Sequence, residues 1–104
     1  MTDLLLDECY SCVISSLVLI KSLASHKNDD ANGVIAVAAE LGQSCIACIR
    51  SYEAGSVLPA TEERLAEEIE RMMEALKKSS MQSSESAACC TACETFIRTY
   101  RHAA

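Results

Sequence analysis

The chain has 104 residues and a net charge of −6, with 15 acidic residues against 9 Lys and Arg and no basic cluster beyond Lys77-Lys78. That balance argues against a nucleic-acid backbone or an anionic membrane surface as partner. Half of the residues are hydrophobic, but only 4% are aromatic, and there is no Trp, one Pro and three Gly. Such sparse turn punctuation disfavours an all-β fold and points to one all-α domain over residues 1–104.

The predicted elements run in chain order as follows. A first helix starts after Thr2 or Asp3, both suitable N-caps, and continues to about His26-Lys27. Its apolar seam, Leu6, Cys9, Val13, Ser16, Ile20 and Leu23, recurs at three- and four-residue steps. Asn28-Asp29-Asp30 is read as the break. A second helix spans about Ala31 or Asn32 to Ala54, with the seam Val34, Ala38, Leu41, Cys45, Cys48 and Tyr52, and Gly55 just past its end as the C-terminal cap. Pro59 fits the first turn of a third helix whose inward residues are Leu65, Ile69, Met72 and Leu76. Glu62, Glu63, Glu67 and Glu68 lie toward its N-terminus and Lys77-Lys78 toward its C-terminus, as the helix dipole favours. Ser79 to Ser86 reads as a serine-rich hinge that includes Met81 and Gln82. The last helix runs from about Ser84 or Glu85 to His102, with Ala88, Cys90, Cys93, Ile97 and Tyr100 expected inward. Helices of this length on short connections predict an antiparallel up-down-up-down four-helix bundle.

The cysteines are the distinctive feature. Cys9/Cys12, Cys45/Cys48 and Cys90/Cys93 form three Cys-x-x-Cys pairs, with Cys89 beside the last. Residues three apart on a helix lie on one side of it, about 4.5 Å apart along the axis. At 1.5 Å per residue, Cys9 and Cys12 stand roughly 9–14 Å above the start of the first helix. Cys45 and Cys48 come out at the same level on the second, and the last three cysteines at roughly 16–23 Å, one to two turns higher. Met72 and Met73 fall in the same band, although methionine on a helical seam is ordinarily core filler. His26 and His102 lie near helix ends, where they suit the dipole.

The acidic start Met1-Thr2-Asp3 does not look like a secretory signal. The apolar run Val13–Ile20 falls short of the roughly 20 residues that cross a bilayer. A soluble, cytoplasmic protein is the expectation. In a reducing compartment seven cysteines indicate metal binding or redox chemistry rather than a disulfide framework, and an odd count points the same way. Thiolates select Cu(I), Zn(II) or iron–sulfur clusters. A zinc tetrahedron or an iron–sulfur cluster would use Cys9, Cys12, Cys45 and Cys48 and leave Cys89, Cys90 and Cys93 over. Cu(I), which takes two or three sulfurs and tolerates shared ones, employs all seven. A thiol-based redox-responsive protein is one alternative, because Cys9 and Cys89/Cys90 lie in the early turns of their helices, where the dipole lowers a thiol pKa. A bundle whose cysteines merely fill space is another. No glycine-rich phosphate loop or paired-carboxylate site marks an enzyme.

Around Gln43-Ser-Cys-Ile-Ala-Cys48 and Ala88-Cys-Cys-Thr-Ala-Cys93 the chain resembles the bacterial four-helix-bundle copper-storage proteins and related cysteine-rich copper-binding bundles. The resemblance implies several Cu(I) ions held by core cysteines for copper buffering, storage or delivery, and assembly into homo-oligomers. This chain has fewer cysteines than the storage proteins, and only Cys89/Cys93 keeps their Cys-x-x-x-Cys spacing. A small cluster of a few ions is the implied scale.

Overall fold

In a computed structural model, residues 3–55, 59–79 and 82–103 are described; Met81, assigned above to the hinge, lies outside them. Among the described residues there are four α-helices and no strand: α1 (Asp3–Leu23), α2 (Asp29–Glu53), α3 (Pro59–Lys78) and α4 (Ser84–Ala103). α1 packs on α2 and α4, and α3 packs on the same two, so the four helices close a ring around one core.

The helix ends differ from expectation where polar side chains act as caps. α1 stops at Leu23 rather than His26, and the His26 N–H bonds back to the Leu23 carbonyl at 2.9 Å. Asn28-Asp29-Asp30 is a start as well as a break. The Asn28 side chain accepts from the Ala31 N–H at 2.8 Å, and Asp29 and Asp30 occupy the first turn of α2, where the dipole favours carboxylates. Gly55 ends α2 as expected, at φ 76°, a backbone region that only glycine occupies without strain.

Polar side chains separate α3 from α4, glutamine closing the first and serine opening the second. Gln82 Nε2 donates to the Leu76 and Ser79 carbonyls at 3.1 and 2.7 Å, satisfying the end of α3. The Ser86 N–H donates to Ser83 Oγ at 3.1 Å while the Ser83 N–H donates to Ser86 Oγ at 2.9 Å. That is a reciprocal capping box with serine where glutamate is usual.

Two helices turn a different face inward from the predicted one. In α1 the buried residues are Leu5, Cys9, Cys12, Ser16, Leu19 and Leu23, while Leu6, Val13 and Ile20 are only half-buried. From Cys9 to Ile20 this helix carries no charge, so apolar periodicity does not choose its face; Tyr10, Ile14, Leu17 and Val18 stay exposed. In α4, Ser86, Cys89, Cys93, Phe96 and Ile97 are buried; Ala88 is exposed, and Cys90 and Tyr100 are half-buried. Phe96, absent from the predicted core, is fully buried and stacks on Tyr100 with ring centroids 6.2 Å apart. The inward residues of α2 and α3 agree with the predicted seams except that Tyr52 is half-buried.

α2 is long and apolar enough to cross a membrane by length and composition, a longer such segment than Val13–Ile20. Here its apolar face, Val34, Ala38, Leu41, Cys45 and Cys48, is buried against the other helices.

Candidate functional site

Six cysteines lie on the inward faces, Cys9 and Cys12 from α1, Cys45 and Cys48 from α2, Cys89 and Cys93 from α4, each 0% exposed. All seven cysteines are free thiols. Each helix presents its two sulfurs at three- or four-residue spacing, which puts both on one face one turn apart. The sulfurs meet across the helix interfaces. Cys9 interacts with Cys48, and Cys12 with Cys45. Cys12 also interacts with Cys93, and Cys93 with Cys89. Beyond Cys89 the row ends at Ser16, whose Oγ lies 3.9 Å from Cys89 Sγ. The Cys12 thiol donates in addition to the Ala92 carbonyl at 3.6 Å.

The α1 and α2 pairs therefore face each other as their spacing predicts. The third set differs in height: Cys93 stands level with Cys12 instead of one to two turns above it. α1 ends at Leu23, short of the expected His26-Lys27, and this removes about one turn of the predicted height, so Cys93 meets Cys12 and Cys89 meets Ser16. The row is continuous as a result.

Cys90 is the exception among the seven. It is half-buried, and its thiol donates to Glu94 Oε1 at 3.5 Å on the outside of α4. Successive helical residues point about 100° apart, so once Cys89 and Cys93 share the inward face Cys90 is rotated off it. Met72 is buried in the same core and Met73 packs against its edge. His26 and His102 are exposed and stand apart from the sulfurs.

Cys9, Cys12, Cys89 and Cys93 are held neutral. Cys9 is pushed far up, first by the hydrogen bond with Cys48 and then by burial, while Cys48 is lowered because Cys9 donates to it. One proton of that pair is held far more tightly than the other. Cys12 is raised by its bond with Cys45 and by burial, against an opposing contribution from Cys93. Cys93 is raised chiefly by Cys12, and Cys89 chiefly by Cys93, with Ser15 and Ser16 pulling Cys89 the other way. Burial, with Glu94 beside it, raises Cys90.

The surroundings are nearly free of hard ligands. Among the described residues the buried polar side chains besides cysteine are Ser16, Ser79 and Ser86. At one end of the row the Tyr52 hydroxyl donates to Glu62 Oε2 at 3.2 Å, and the Glu62 charge acts on both Cys9 and Cys48. By sequence Glu62 suits only the helix dipole of α3. Its position one turn into α3, beside a seam tyrosine of α2, was the available signal. Among the described residues no group of three or more His, Cys, Asp or Glu side chains is gathered as a metal site. The sulfurs are strung out in sequence instead. Compared with protein-family profiles, curated proteins and solved structures, the chain matches none.

Proposed function

We propose that this chain binds soft metal ions, Cu(I) foremost, through Cys9, Cys12, Cys45, Cys48, Cys89 and Cys93, and serves copper buffering, storage or delivery. The observation that carries the reading is the row itself: six fully buried thiols from three helices, each acting on a neighbouring thiol, with no fully buried carboxylate or imidazole side chain among the described residues. Cysteine used only as a small hydrophobe has no need to meet its own kind across two interfaces. An all-sulfur donor set favours a soft ion. Cu(I) accepts two sulfurs, so neighbouring members of a row suffice, whereas zinc requires four around one point. When bound, the metal supplies soft Lewis acidity that replaces the thiol protons. The chain's own part is to hold the sulfurs dry and adjacent.

The up-down-up-down antiparallel arrangement belongs to the same proposal. Cys9 with Cys48 and Cys12 with Cys45 fit opposed directions of α1 and α2. Glu40 with Arg71 (3.5 Å) and Tyr52 with Glu62 (3.2 Å) fit opposed α2 and α3, and Cys12 with Cys93 and Ser16 with Cys89 fit opposed α1 and α4. Cytoplasmic residence fits a site built of reduced thiols.

Anaerobic titration with Cu(I) against a chromogenic chelator tests the reading. Several equivalents should bind, with thiolate-to-copper charge-transfer absorption. Binding no tighter than to a scrambled cysteine-rich peptide would refute it. Equal occupancy of zinc under competition, with four thiols consumed per ion, would move the assignment to zinc.

A further inference from the structure

α1 carries a second seam on the side away from the sulfurs. Leu5, Cys9, Cys12, Ser16, Leu19 and Leu23 face the core, whereas Asp7, Tyr10, Ile14, Leu17 and Lys21, again at three- and four-residue steps, are all exposed. That spacing is the seven-residue repeat by which one helix packs along another. α1 packs on α2 and α4 through its inner side, and among the described residues no helix covers the outer one. Four of the exposed large hydrophobic side chains stand there, Tyr10 (42% exposed), Ile14 (61%), Leu17 (57%) and Val18 (49%), and the fifth is Ile46 of α2. At about half exposure each, the four present on the order of 400 Å² of apolar surface, a size at which a patch is often an interaction site.

We propose that this outer seam docks on the same seam of a second copy, α1 against α1 in opposite directions about a two-fold axis near Ile14, to form a homodimer. The charges select the occupant. A net charge of −6 makes two copies repel over most of their surface, but α1 carries no charge from Cys9 to Ile20. The seam is bounded by one acid, Asp7, and one base, Lys21, each seven residues from Ile14. Among the described residues neither forms an ion pair within the chain. Opposed helices bring each Lys21 to the other copy's Asp7, which places two ion pairs at the rim of an apolar centre. Parallel helices would set Asp7 against Asp7 and Lys21 against Lys21. An anionic membrane would gain Lys21 and repel Asp7. The four apolar side chains of each copy bury about 800 Å² in total, and the polar rim brings the contact to the lower range of specific interfaces, near about 1,200 Å². A contact of that size suits association at micromolar concentration. Cys9 and Cys12 lie on the opposite face of the helix, so the sulfur row is left intact.

Sedimentation velocity of the full chain under reducing conditions, from about 1 to about 200 µM, should show a reversible dimer. Ile14→Glu sets two carboxylates against each other at the axis and should weaken association at least about 100-fold, with unchanged helicity because the position is exposed. Asp7→Lys and Lys21→Asp should each weaken it about ten-fold at low ionic strength. An equimolar mixture of those two variants should recover association as a heterodimer. The new lysine of one then meets the new aspartate of the other, and the native Lys21 and Asp7 pair at the second contact. A native chain that stays monomeric over the whole range overturns the proposal. So does a dimer that Ile14→Glu leaves intact, or a mixture no more associated than its two components. A monomeric native chain that binds neutral phosphatidylcholine vesicles, and loses that binding in Ile14→Glu, also overturns it and gives the patch to lipid.

Discussion

Buried neutral thiols make the fold sensitive to alkali. Cys9, Cys12, Cys89 and Cys93 are fully buried and raised above their ordinary value of 9.0. Above that value the unfolded chain releases these protons while the folded chain keeps them. The unfolded state then binds fewer protons, so stability falls with rising pH; it is present in full below 9.0 and lost above it. Each such thiol removes about 1.4 kcal/mol per pH unit, or about 2 kcal/mol at about pH 10.5. Four together remove about 8 kcal/mol, less an offset from Cys48, whose ionised form the fold favours. That is comparable with the whole stability of a small domain, about 5–15 kcal/mol. Urea unfolding followed by circular dichroism, without oxygen, should show stability nearly constant to about pH 8.5 and collapsing by about pH 10.5. A variant with alanine at Cys9, Cys12, Cys89 and Cys93 starts lower but should lack the steep alkaline loss. Parallel pH curves for the two proteins would refute the picture of thiols held neutral by burial and mutual hydrogen bonding.

The other predictions concern single positions. Phe96→Ala should cost about 3–5 kcal/mol in urea unfolding, because Phe96 is fully buried beside the cysteine layer and loses its stack on Tyr100; a loss below about 1 kcal/mol would displace it from the core. Gly55→Ala should cost about 1 kcal/mol, entirely from the backbone at φ 76°, since an added Cβ meets nothing within 4 Å; an unchanged midpoint would argue against that turn. Cys12→Ser should lower Cu(I) capacity because Cys12 joins the α2 and α4 sulfurs, whereas Cys90→Ser should leave it unchanged. The reverse ranking would place the metal on the outer face of α4.

The helices were readable because their signals are local. Pro59, the glutamates of α3 and the three-four steps of Leu65, Ile69, Met72 and Leu76 agree with one another, and the structure matches them. Facing was readable where polar residues bracket the apolar ones, as on α2 and α3. It was not readable on α1, where uncharged residues surround the helix from Cys9 to Ile20, nor on α4, where Cys89 and Cys90 compete for one face. The meeting of Cys9/Cys12 with Cys45/Cys48 followed from spacing and a short connection. The level of Cys93 did not, because it depends on where α1 ends and how far α4 slides along it, and α1 stops at Leu23 instead of His26-Lys27. The Tyr52–Glu62 contact joins two helices across a loop and leaves no periodic trace.

The central claim is that metal sits among sulfurs alone, in the row from Cys48 to Cys89. X-ray absorption at the copper edge of the anaerobically loaded chain reads that environment directly. The account predicts Cu(I) with only sulfur scatterers in the first shell, and the same spectrum in Cys90→Ser. Nitrogen or oxygen scatterers at stoichiometric weight would contradict it, since they would place the metal at His26, His102 or the surface carboxylates instead.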